Sequence, residues 1–185
     1  MRNNIIYVAG LFDSESVKTL DDIEKSLFKC GIILKTHNRN GEIYQSVEEL
    51  MDLYVIQFAY ELFQTFILNG SYDIFKYYIL QLFNIIQQKK IDRHHTTLEI
   101  EGIPTINGSE TIKCKVSGSL SKKQKEKFIE KSFELANQVA NSQVSLLEKN
   151  QFFNAINGHV FKYGVDSEEL NEVDIADEIK KIQKS

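Results

Sequence analysis

VEELMDLYVIQFAYELFQTFILNGSYDIFKYYILQLFNIIQQKK, residues 47–90, holds a large share of the chain's big apolar side chains, and how it is read decides the fold. At about 100° per residue, Val55, Ile56, Phe58, Ala59, Tyr60, Leu62, Phe63, Phe66 and Ile67 cover well over half the circumference of a helix. Gln57, Glu61, Gln64 and Thr65 are left as a narrow polar stripe. Ser46 with Glu49 three residues on reads as a capping box at its start. Asn69-Gly70 supplies a left-handed stop, and Ser71 with Asp73 caps a second helix from Tyr72 to about Lys90. Phe75, Tyr78, Ile79, Leu82, Phe83, Ile85 and Ile86 line one side of that second helix. The short joint predicts an antiparallel helix pair at the centre of the molecule. Burying each Phe, Ile or Leu side chain contributes roughly 1.5–3 kcal/mol, so the remaining elements are expected to pack on this pair.

Outward from it, strands are predicted on both sides. Asn4 to Ala9 reads as an interior strand, Ser14 or Ser16 to Cys30 as a helix burying Val17, Leu20, Ile23, Leu27 and Phe28, and Gly31 to His37 as a second strand. Asn38-Arg39-Asn40-Gly41 turns that strand into a third at Glu42 to Gln45. After the helix pair, Thr96 to Glu101 and Thr111 to Val116 alternate as a hairpin, with Glu99 and Glu101 able to face Lys113 and Lys115. Ser121 and Gln124 form a capping box for a helix to about Asn141. Phe152 to Ile156 and His159 to Gly164 flank Asn157-Gly158, a hairpin signal, and the tail from Asp166 reads as one or two short helices. The expected fold is therefore α+β: a mostly antiparallel sheet of β-hairpins on a central antiparallel helix pair. One domain over 1–185 is expected, with sub-units 1–46 (βαββ), 47–90 (helical hairpin), 91–142 (ββα) and 143–185 (hairpin plus acidic helical tail).

Composition narrows the function classes. The chain has 42% hydrophobic and 26% charged residues and a net charge of −4, ordinary values for a globular protein. Residues 166–185 carry seven acids against three lysines, leaving 19 acids and 19 bases in the other 165 residues. A general nucleic-acid binder shows the opposite bias. Two cysteines, Cys30 and Cys114, stand far apart and in no CxxC pattern, which predicts no disulfide framework or zinc knuckle and fits a reducing compartment. The first residues are too briefly apolar, before Asp13 and Glu15, for a signal peptide. The expected localisation is cytoplasmic. Asp52, Gln57, Glu61 and Gln64 interrupt the one stretch of bilayer length, and a central acid costs roughly 2.5–3.5 kcal/mol on insertion scales. A membrane-active hairpin is thus the minor reading.

Three constellations could carry function. The Asp92-Arg93-His94-His95 joint holds the only adjacent histidines, and a histidine serves as base or ligand. Neighbours on an extended segment point apart, however, so the two cannot share one ion. Ala9 to Ser14, with Gly10 after a strand, offers a turn where a nucleotide fingerprint would sit, but one glycine stands where three are required. A small enzyme or nucleotide-binding protein using Gly10–Ser14 and Asp92–His95 is the alternative reading. The third is recognition: Tyr77 and Leu80 on the polar side of the second long helix, Phe152, Phe161 and Tyr163 in the last hairpin, and Glu168, Glu169 and Glu172 of the tail. No catalytic set, metal ligands or cofactor are assigned. The expectation is a non-catalytic accessory protein, of the immunity or anti-defence type and of bacterial or phage origin, that binds a partner protein or itself.

Overall fold

The computed structural model describes residues 4–40, 53–87, 95–106, 108–144, 146 and 158–174. In order these form β1 (Ile5–Gly10), α1 (Ser14–Lys29), β2 (Ile33–Asn38), β3 (Tyr54–Ala59), α2 (Tyr60–Leu68) and α3 (Tyr72–Gln87). There follow β4 (His95–Thr105), β5 (Gly108–Ser117), α4 (Lys122–Ala140), β6 (His159–Gly164) and β7 (Glu169–Glu172). Among the described residues the strands make one seven-stranded sheet in the order β2-β1-β3-β4-β5-β6-β7. The molecule is α+β, but the sheet is mixed. β1·β2, β3·β4 and β5·β6 run parallel, while β1·β3, β4·β5 and β6·β7 run antiparallel. Each parallel pair is separated in sequence by helix, α1, α2 with α3, or α4, as a crossover connection requires. Strands consecutive in the chain are neighbours in the sheet except β2 and β3, but of these neighbours only β4·β5 and β6·β7 pair antiparallel as the expected hairpins do.

The central helix pair is corrected as well. Residues 54–59 are strand, and the first helix runs only from Tyr60 to Leu68. A run buried on both faces of a strand looks like a helix that is apolar all round, because neither shows a clean period. No boundary signal separates the two here: Ala59, the helix N-cap, contributes no side-chain cap. At the other end Asn69 and Gly70 stop α2 as expected, with Gly70 at φ 67°. The tail differs too. Glu169–Glu172 is an edge strand paired with β6 through Tyr163↔Leu170 and Phe161↔Glu172, reached by a turn in which Glu168 has φ 54°. The hairpin β4·β5 is present and longer than its alternation suggested, since Pro104 pairs with Ser109 beyond a register shift at residues 100–103. Lys113 and Glu99 face each other as expected, 3.6 Å apart. The expected strands at 42–45 and 152–156, the cap at Ser46 and the helix beyond residue 174 lie outside the described residues.

Alternate residues of five adjacent strands, among them Ile6, Val8, Ile56, Phe58, Leu98, Ile100, Ile112, Cys114 and Phe161, enter one buried cluster with side chains of all four described helices. At its centre Phe58, Phe63, Phe75 and Phe133 meet, with Phe63 and Phe133 centroids 4.6 Å apart and Phe58 edge-on to Phe75 at 5.2 Å. Such ring pairs add about 0.5–1.5 kcal/mol each beyond their area. The helix layer therefore covers one face of the sheet, and β2 and β7 form its two margins.

Candidate functional site

The turn after β1 is built as a helix cap. Asp13 accepts a hydrogen bond from the Ser16 amide at 2.8 Å, and Asn38 grips Phe12, its Oδ1 accepting from the Phe12 amide and its Nδ2 donating to the Phe12 carbonyl. Asn40 Nδ2 donates to that same carbonyl at 2.8 Å. Two amides of the turn, those of Phe12 and Ser16, are thus engaged by side chains. A Cβ on Gly10 would stand 2.9 Å from the Tyr54 ring and 3.1 Å from Phe12; the glycine is there for packing.

Of the predicted joint, Asp92, Arg93 and His94 lie outside the described residues. His95 opens β4, buried, with its Nδ1 2.7 Å from the hydroxyl of Ser117, its partner across the ladder. Phe152 is likewise outside them. Phe161 and Tyr163, expected to take part in recognition, are 3% and 6% exposed. β6 is interior, and its odd-numbered side chains turn to the helix layer, where the rings of Phe128 and Tyr163 lie 5.4 Å apart. Burial pushes the Tyr163 phenol upward from its ordinary pKa. On α3, Tyr77 is 56% exposed, whereas Leu80 is 8% exposed and belongs to the core. Glu168 sits in the turn before β7, Glu169 is exposed on that strand, and Glu172 points inward to His159.

Two arrangements escaped sequence reasoning. His159 is buried between two carboxylates, its Nδ1 2.7 Å from Glu172 and its Nε2 3.6 Å from Glu110. Tyr60, Gln64 and Asn137 form a closed polar triangle between α2 and α4, with contacts of 2.8–2.9 Å. Both tie elements distant in sequence, so spacing gave no sign of them. Among the described residues no group of three or more His, Cys, Asp or Glu side chains is placed to hold a metal ion. No described helix is long and apolar enough to cross a membrane.

Among the described residues seven large apolar side chains are exposed: Leu68 at the end of α2, Ile74 and Tyr77 on α3, Ile106 in the β4–β5 turn, and three on α1 and β2. Val17 and Phe28 of α1, expected in the core, are 40% and 73% exposed, and Ile33, the first residue of β2, is 50% exposed. The signal was in the helix angles. Ser16, Leu20, Ile23 and Leu27 centre the buried arc, and Val17 and Phe28 fall roughly 90–110° away from its centre. Beside them β2 ends the sheet, with Lys35, Thr36, His37 and Asn38 exposed. Comparison of the chain with known protein families, with curated proteins and with solved structures finds no match.

Proposed function

We propose that this chain is a non-catalytic accessory protein that works by binding another protein, as immunity and anti-defence proteins do. The observation that carries the reading is the exposure of Val17 and Phe28 on one flank of α1, beside the β2 margin. Large apolar side chains grouped at one border of a molecule mark an interaction surface. Tyr77 and Ile74, both half exposed on α3, offer a second apolar contact. His95 and His159 serve packing and cross-strand contacts. Cytoplasmic action is part of the proposal, supported by two cysteines that are not joined to each other, Cys30 exposed and Cys114 buried.

The test is affinity capture from native cells of the wild-type chain and of a Val17→Ser, Phe28→Ser double variant. The expected result is a stoichiometric partner held by the wild type and lost from the variant. A partner held equally by both places the interface elsewhere, and a chain that remains alone at native concentration contradicts the reading.

A further inference from the structure

We propose that the partner is held by strand addition: an extended peptide segment pairs with β2, its side chains beneath α1 running apolar, basic, apolar at alternate positions. This rests on the protein-binding reading and names its ligand.

The backbone of β2 supplies the first half of the argument. Ile33 N donates to Asn4 O at 2.8 Å and Arg39 N to Gly10 O at 2.9 Å, so the odd-numbered residues of β2 bond to β1 in the parallel ladder. The N–H and C=O groups of Leu34, Thr36 and Asn38 therefore point away from β1, past the last strand of the sheet. Among the described residues no strand pairs with this row, and Thr36 and Asn38 are exposed; an edge of this kind is a template for another strand. The stretch from Ile33 to Asn38 contains no proline and no bulge to blunt it.

The second half is the flank of α1. Val17 and Phe28 are eleven residues apart, which brings them within about 20° of one another around the helix and about 16 Å along it. Asp21 and Glu24, both exposed, lie on that same flank between them. Cys30 at the end of α1 contacts Tyr78 of α3 and lies about 150° around the helix from Val17 and Phe28, so their flank is turned away from α3, toward the β2 margin. A strand laid beside β2 turns every second side chain toward α1, at intervals of about 6.6 Å, so three of them span about 13 Å. The outer two meet Val17 and Phe28, and the middle one meets the carboxylates of Asp21 and Glu24. A second copy of this chain fits worse: a two-fold axis through the margin sets Asp21 and Glu24 against the same acids of the other copy.

The probe is a fluorescein-labelled peptide of threonines alternating with valine, lysine and valine, titrated against the full chain by anisotropy. Saturable binding is expected, weakened at least tenfold when the lysine becomes glutamate and at least tenfold by Thr36→Pro, which removes an outward N–H. Because that variant touches a strand, Asp21→Lys with Glu24→Lys provides the second arm, and it is expected to invert the preference toward the glutamate peptide. Equal affinity for both peptides, no binding of either, or a preference unmoved by the charge reversal overturns the proposal. Self-association abolished by Thr36→Pro overturns it in favour of a second copy. If the peptides fail while the native partner is still lost from the Val17, Phe28 variant, the ligand chemistry is wrong and the protein-binding reading stands.

Discussion

The His159 ring bridges two strands, bonded through Nδ1 to Glu172 on β7 and facing Glu110 on β5. Removing it leaves two carboxylates in a buried place, and a hydrogen bond to a charged group contributes about 1.5–3 kcal/mol. His159→Ala is expected to lower stability by that amount, read as a lower urea midpoint with an unchanged slope. A midpoint within error of wild type would show the contact to be idle. The two thiols differ in the same residue-by-residue way. Burial pushes Cys114 up to about 12, against a weaker opposing hydrogen bond from Ser132, while Cys30 is exposed. Only the thiolate reacts readily, so native protein should show one reactive thiol toward Ellman's reagent, lost in Cys30→Ser, and two in urea.

At the scale of elements, the approach of β6 to β5 depends on Gly158. Its φ is 121°, and an added Cβ would stand 2.7 Å from the Thr111 carbonyl oxygen. Gly158→Ala should therefore cost about 1–3 kcal/mol through forced displacement, seen as a lower melting temperature. Gly31→Ala, at φ 75° with open space around it, should cost less. Elements with local markers were legible in the sequence. The Ser121–Gln124 capping box starts α4 where its residues implied, and the alternation of 96–116 gave the β4·β5 hairpin. Elements without markers were not. β3 passes into α2 with no glycine, proline or capping side chain between them; Val17 and Phe28 pass for core by three- and four-residue spacing, and only their helix angles set them at the rim of the buried arc. The margin of the sheet could not be read at all, because strand order is a property of crossovers and not of composition.

For the whole molecule, the buried phenols and thiol set the response to alkali. Cys114 is raised by burial from an ordinary 9.0 to about 12. Tyr60, Tyr72, Tyr78 and Tyr163 are all raised from 10.0, in each case chiefly by burial. Folding favours the protonated form of each group, so the stability they confer is complete below their unfolded values and is lost as pH rises through the folded ones. Denaturant midpoints should hold level to about pH 9 and fall above it, first through the thiol, and Cys114→Ala should postpone the onset. A midpoint that rises between pH 9 and 11 would contradict this.

The claim on which the functional account rests is that β2 offers its outer edge to a partner strand. Amide hydrogen exchange along residues 33–39 measures it directly. In the free chain the amides of Lys35 and His37, aimed at β1, should exchange slowly and those of Leu34, Thr36 and Asn38 quickly. In the complex the even-numbered amides should become as slow as the odd. Even-numbered amides already protected in the free chain, or still unprotected in the complex, would contradict it.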